Sequence, residues 1–309
     1  MNDILRIGGL VFPVFGIIAL GFALRKAGLV KVNWVHILNN FVYYVSLPAI
    51  ILVSFWQIDL TNPIFIKTLG INFLVMLLLA VVLLVILMLV KMEKQQKAAI
   101  FLTSLSGNTI YMGLPIASSV VGITYYSSIV AIGIVQLSIG FLFSIILLEF
   151  WISRTKSVKK YLLDVVKNPI IAFTFVGIFL SLALREHVES SVKVMLEMLG
   201  ATSSPLALFS LGSFLGGKFV KDHLPLALVP TAVKLAILPL LTFTGFYLFK
   251  VKGPQPDISI LLAAMPAAVT TFVLAEKFKL DKSYVANVIL ISTVVSVFSL
   301  WLCLALILV

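Results

Sequence analysis

Acidic side chains are scarce in this chain and fall outside the middle of its apolar runs. Only 12 Asp and Glu accompany 23 Lys and Arg in 309 residues. Asp3, Asp59, Glu93, Asp164, Glu186, Glu189, Asp222, Asp257 and Asp281 fall in loops or at ends, Glu197 and Glu276 near helix termini, and Glu149 near the end of a run. Cation and proton antiporters rely on carboxylates held inside the membrane, so that class is disfavoured. A single cysteine, Cys303, excludes an intrachain disulfide and a cysteine metal site. The three histidines, His36, His187 and His223, sit at run ends or in loops, where solvation accounts for them. No Walker loop is present, so ATP is not the expected energy source. No His, Cys and carboxylate cluster has metal-binding spacing. The serines inside apolar runs have no nearby histidine, which leaves an intramembrane enzyme without a base for its nucleophile. The expectation is a protein without cofactor, metal or catalytic activity.

What the chain does have is apolar length. It is 61% hydrophobic and 11% charged, with mean hydropathy +1.17; soluble domains carry about 25% charged residues. Ten runs are long enough to cross about 30 Å of hydrocarbon, at about 7–24, 34–55, 65–90, 98–121, 127–152, 169–184, 195–217, 224–249, 257–276 and 284–308. Only helices satisfy backbone polar groups over such lengths, and no segment remains for a soluble domain. The expected fold class is an all-α integral membrane protein with ten transmembrane helices. The first run is followed by Arg25 and Lys26 rather than a small-residue cleavage site, so it is expected to remain as helix 1.

The net charge of +11 describes topology better than it describes a nucleic-acid partner. In the ten-helix reading, 16 basic residues follow helices 1, 3, 5, 7 and 9, and 6 lie on the opposite side. The positive-inside rule makes the first side cytoplasmic and puts both termini outside, as in a multi-pass protein of the cell membrane; attraction to anionic lipid is secondary.

The two halves resemble one another. The longest loop, Arg154 to Pro169, lies at the midpoint, with five helices before it and five after. Pro115 in helix 4 answers Pro266 in helix 9, SLPAI (Ser46 to Ile50) answers SPLAL (Ser204 to Leu208), and FPVFGIIALGFAL (Phe12 to Leu24) answers FTFVGIFLSLAL (Phe173 to Leu184). Five is odd, so the second copy is inverted in the membrane: residues 1–153 and 169–309 are read as inverted five-helix repeats joined by a short cytoplasmic linker, 154–168. Helices 4 and 9 are expected to be broken and to cross. Pro115 suits the first position of a restarted helix, and Thr270 and Thr271 could cap the other restart. Helix N-termini aimed at the bilayer centre favour an anion there. The glycines of GGLVFPVFG and LGG are read as close helix contacts.

The stretches SGNTIYMGLPI, SLPA, NPIIAF, SPLALFSLG and AAMPAA, spread over the whole chain, resemble the auxin efflux carrier family, which includes malate-permease-like members and the plant PIN transporters. The resemblance implies an architecture shared with sodium/proton antiporters and bile-acid symporters. Helices 1, 2, 6 and 7 would form a scaffold, and helices 3–5 and 8–10 a transport domain. It also implies homodimers joined through the scaffold and carriage of a small organic anion by an elevator motion. The long cytoplasmic loop of the plant members is absent, and with it any regulation through that loop.

The substrate is expected against the first break. Asn108 offers two donors and an acceptor, and could bind a carboxylate or hold the break closed. Thr109 and Tyr111 offer hydroxyls, although packing alone would also explain Tyr111. Gln136 in helix 5 either lines the pocket, as a glutamine at about this place does in the family, or makes an interhelical hydrogen bond. Pro115, Pro266, Thr270 and Thr271 complete the candidate substrate site. Lys234, within LVPTAVKLAILPLL, has no acidic neighbour in sequence. It could brace carbonyls at the crossing, attract substrate carboxylate, or carry a proton. A sodium-coupled organic anion symporter of the bile-acid type is the nearest alternative, and an anion channel a further one.

Overall fold

The computed structural model describes residues 2–152, 169–183, 190–217 and 224–308. The expected linker 154–168 lies outside the described residues, as do Arg185 and the stretch from Lys218 to His223. Among the described residues all regular structure is helical, apart from one isolated antiparallel bridge. Among the described residues seven helical spans are long and apolar enough to cross a membrane, with Pro169–Ala183 a shorter apolar helix. The chain is therefore an all-α integral membrane protein.

The helices, in chain order, are α1 (Asn2–Lys26), α2 (Val32–Phe41), α3 (Leu47–Gln57), α4 (Pro63–Leu89), α5 (Lys94–Leu105), α6 (Gly113–Val121), α7 (Tyr126–Trp151), α8 (Pro169–Ala183), α9 (Ser190–Ala201), α10 (Ser203–Leu215), α11 (Leu224–Ala232), α12 (Leu238–Leu248), α13 (Pro254–Ala263), α14 (Thr270–Lys277) and α15 (Lys282–Leu308). Local chemistry sets several boundaries. Asn62 caps α4, accepting from the amides of Ile64 at 2.9 Å and Phe65 at 3.3 Å, with Pro63 in the first position. Gly122 ends α6 with φ 96°, a conformation that costs glycine little.

Two wide, π-helical turns share one cause. Val42–Ser46 precedes Leu47–Pro48, and Val233–Ile237 precedes Leu238–Pro239. A proline inside a continuous helix has no amide to donate and its ring meets the carbonyl four residues back; widening the preceding turn relieves both problems. The second wide turn carries Lys234. Pro239 thereby helps decide where Lys234 points.

The helices pack in two groups. In one, α1 lies along α10, α2 also meets α10, and α3 packs on α8 and α9. In the other, α4, α5 and α13 pack on α7, α12 meets α4 and α13, and α11 meets α5 and α15. The groups touch where α3 meets α7 and where α1 meets α6 and α15.

Glycine makes the α1–α10 seam possible. A Cβ on Gly212 would strike the carbonyl oxygen of Ile18, one on Gly21 the carbonyl of Phe209, and one on Gly216 would lie 2.9 Å from the Arg25 side chain. Gly8 and Gly9 have open space around them, and Gly16 approaches only Phe12, at 4.0 Å. The close-contact reading thus holds for Gly216 of LGG and is corrected for GGLVFPVFG, while Gly21 and Gly212 make close contacts that it did not include.

The matched motifs SLPAI and SPLAL lie beside two interruptions that meet. α3 begins after the wide turn ending at Ser46, and α10 begins after Thr202. The Ser46 and Thr202 hydroxyl oxygens are 2.7 Å apart.

Candidate functional site

The centre of the second group is a pair of helix breaks. Residues 106–112 separate α5 from α6, and residues 264–269 separate α13 from α14. The breaks run antiparallel: the Asn108 amide donates to the Pro266 carbonyl at 2.8 Å, and the Ala268 amide donates to the Ser106 carbonyl at 3.0 Å. Gly107 faces Ala267 across this bridge. The Asn108 carbonyl accepts from the amides of Met112 at 3.2 Å and Gly113 at 3.1 Å, so one residue ties the bridge to the restart of α6. The Ala267 amide donates to Ser292 Oγ on α15 at 3.1 Å. Unwound backbone at membrane depth needs such partners, because lipid supplies none.

The pairing leaves donors over. Among the described residues, the amides of Thr109, Ile110 and Tyr111, and of Val269 and Thr270, have no hydrogen-bond acceptor. The Asn108 side-chain Nδ2 is buried without a partner. Thr270 Oγ1, Ser104 Oγ and Ser106 Oγ are likewise buried and unpaired. Buried polar atoms without partners are uncommon and cost about 1–3 kcal/mol each, so a cluster of them at the meeting of two helix N-termini is suited to a ligand.

The other candidate residues are divided between this centre and its supports. The Thr109 hydroxyl donates to the Gly133 carbonyl at 3.0 Å, tying the break to α7. Tyr111 is buried in the apolar core. Gln136 donates through Nε2 to Asn72 Oδ1 at 2.7 Å and to the Ser259 carbonyl at 3.1 Å, while its Oε1 is unpaired. Asn72 in turn donates to the Thr68 carbonyl and to Ser259 Oγ, both at 2.9 Å. Gln136 therefore binds α7 to α4 and α13. Reading the sequence alone misses Asn72 and Ser259; the signal for Asn72 is a lone amide in a span of mean hydropathy 3.2.

Two details differ from the sequence reading. The first restart begins at Gly113, two residues before Pro115, and its preceding residue is Met112. Pro266, by contrast, lies inside the unwound segment, so the two prolines occupy different places in their breaks. Thr270 and Thr271 do not cap α14: Val269 precedes it without a side-chain bond, and the Thr271 hydroxyl donates to the Ala268 carbonyl at 2.6 Å. The Thr271 and Phe272 amides donate instead to the Ala268 and Val269 carbonyls, at 3.1 and 2.9 Å.

Lys234 reaches the bridge from its wide turn. A Cβ placed on Gly107 would collide with Lys234 Nζ and lie 3.0 Å from its Cε. Only glycine leaves the ammonium room against the backbone here. Lys234 is 1% exposed and is the only charged side chain among the buried described residues. No acidic side chain forms an ion pair with it among the described residues. A lone charge near the bilayer centre costs at least about 2.5–3.5 kcal/mol unless it is compensated.

A cavity of about 680 Å³ opens at the seam of the two helix groups, bordered by Arg25, His36, Asn39, Phe214, Phe272 and Asn287. Val269, from the second break, also borders it. Among the described residues no group of three His, Cys, Asp or Glu side chains could hold a metal ion.

An all-helical membrane protein with paired helix breaks in its interior has the architecture of a membrane carrier. Residues 7–159 and 153–304 match the family model described as membrane transport protein. The chain belongs to that family, which comprises the auxin efflux carriers and malate-permease-like proteins. Its relatives include an uncharacterized transporter of Methanocaldococcus jannaschii, 25% identical over 305 residues, covering 94% of this chain and 96% of the relative. A Rhizobium meliloti protein named as a putative malonate transporter is 25% identical over 312 residues, covering 94% and 93%. A rice (Oryza sativa subsp. japonica) protein named as an auxin efflux carrier component is 25% identical over 144 residues, covering 45% of this chain and 39% of the relative.

Proposed function

We propose that this membrane transport protein is a secondary carrier for a small organic anion, bound where the two helix breaks meet. The observation that carries this reading is the convergence of unpaired amides, the unpaired Asn108 Nδ2 and the Lys234 ammonium on one antiparallel bridge. Carboxylates accept such donors, and helix N-termini favour negative charge. The names of two relatives, one for malonate transport and one for auxin efflux, are those of proteins that handle organic acids and support the class without choosing its member.

In this reading the chain crosses the membrane ten times. The seven long helical spans and α8 give eight crossings, and the broken pairs α5–α6 and α13–α14 give two more. The two packing groups become the working parts: α1–α3 and α8–α10 the scaffold, and α4–α7 with α11–α15 the mobile transport domain. Residues 1–153 and 169–309 are then inverted repeats with both termini outside the cell membrane. The cavity at the seam gives the site aqueous access from the cytoplasmic side, since Arg25 and Lys282 border it. Sliding of the mobile group along the scaffold carries the bridge, with its ligand, toward the other side. Homodimers joined through the scaffold fit the exposed apolar side chains of α9, including Met195 and Met198.

A thermal-shift screen of the purified protein against organic acids, with and without sodium, tests the reading. Stabilisation by an acid in the absence of sodium, lost in Asn108→Ala, is the expected result. Stabilisation that requires sodium favours a bile-acid-type symporter, and stabilisation that persists in Asn108→Ala moves the site elsewhere.

A further inference from the structure

The charge of the proposed mobile group limits the charge of what it carries. Among its described residues one charged side chain is buried, Lys234, and it presses on Gly107 at the bridge itself. Among the described acidic side chains, Asp59, Glu93, Glu197, Glu276 and Asp281 are exposed and Asp257 is half-buried, all at helix ends or in loops. None of them neutralises the lysine. The site thus holds one basic side chain against Gly107, whose neighbour in sequence, Asn108, carries the unpaired side-chain donor. Charges within a low-dielectric interior must be paired to be stable, and an unpaired ion is strongly disfavoured. An incoming anion completes the pair.

We propose that Lys234 is the fixed counter-charge of the transport domain and selects singly charged organic anions, so that the loaded domain crosses the membrane electrically neutral. This rests on the carrier reading above and deepens it by naming the charge class of the substrate. A monoanion bound at the bridge brings the buried charge from plus one to zero. A dianion leaves minus one, and the loaded domain must then cross the membrane field as a net charge. With the buried pair neutral, membrane potential does not act on the loaded step.

Exchange experiments isolate the loaded step, because homo-exchange never uses the empty return. The full-length protein is reconstituted in liposomes, the potential is clamped at 0 or −100 mV with a potassium gradient and valinomycin, and exchange of labelled lactate, indole-3-acetate and malonate is measured at pH 7. The expected result is lactate or indole-3-acetate exchange that agrees within about twofold at the two potentials. A whole charge crossing the whole field would be worth up to about fifty-fold per 100 mV. Lys234→Gln should make the same monoanion exchange slow severalfold at −100 mV. Monoanion exchange by the native protein that changes severalfold with potential overturns the proposal, as does exchange of malonate with neither monoanion carried. If Lys234→Gln fails to fold, the native comparison of monoanion and malonate still decides: malonate exchange must be slower or potential-dependent. No exchange of any acid, with no thermal stabilisation by one, overturns the carrier reading instead, and this proposal with it.

Discussion

The backbone amide of Asn108 donates to the carbonyl of Pro266 at 2.8 Å, joining the two halves of the chain at their least helical points. With its main chain committed to the bridge, Asn108 still has an unpaired side-chain donor. Replacing it should therefore separate binding from architecture. Asn108→Ala keeps the backbone bond and removes the side-chain amide with its unpaired donor. Loss of a hydrogen bond to a charged ligand is worth about 1.5–3 kcal/mol, or roughly 10- to 150-fold in affinity. Ligand-dependent thermal stabilisation and uptake should fall by that factor, while the elution volume of the unliganded protein stays the same. A variant that takes up organic acids normally would refute the assignment.

Gly107→Ala should destabilise the protein by displacing Lys234 from the bridge. The new methyl collides with Lys234 Nζ, and overpacking of this kind costs about 1–3 kcal/mol. Lys234→Ala removes the obstacle, so the double variant should be more stable in detergent melts than additivity of the single changes predicts. Strictly additive losses would mean that the two residues do not compete for the same space.

The Asn72, Gln136 and Ser259 bonds join α4, α7 and α13 inside the apolar interior. Removing one amide leaves the others unsatisfied, at about 1–3 kcal/mol. Asn72→Ala and Gln136→Ala should each lower the melting temperature, and the pair should cost less than the sum of the two. Equal melting of Asn72→Ala and the parent would show that the network contributes nothing to stability.

The exposed ion pair of Lys282 Nζ and Glu276 Oε1, at 2.7 Å, should matter little. Exposed pairs are screened by solvent and contribute little to stability. Glu276→Gln is expected to shift the thermal midpoint far less than Gly107→Ala. A comparable shift would give this pair a structural role that its exposure does not suggest.

The sequence carried the breaks plainly, because Gly107, Asn108 and Pro266 are poor helix residues inside runs otherwise fit to span a membrane. It also carried Lys234, since a lysine inside an apolar run stands out. It did not carry the place of Pro115, because proline is tolerated throughout the first turn of a helix and the restart at Gly113 is decided by the Asn108 carbonyl. Nor did it show that Gln136 is occupied by Asn72 and Ser259: these residues are 64 and 123 positions away, and long-range partners leave no local signature. The wide turns before Pro48 and Pro239 were written in the order Leu-Pro, but a proline permits a kink, a break or a wide turn, and packing chooses among them.

The bridge also has a consequence for how the protein is made. The first break cannot be completed within its own half: the amide of Asn108 needs the carbonyl of Pro266, about 160 residues later on the chain. At about 5–20 residues per second, synthesis leaves that amide without its partner for roughly 8 to 30 seconds. Throughout that interval α5 and α6 are in or near the bilayer with their break unsatisfied, and only the arrival of α13 and α14 allows them to settle. The first half of this protein is therefore translated well before it can be finished.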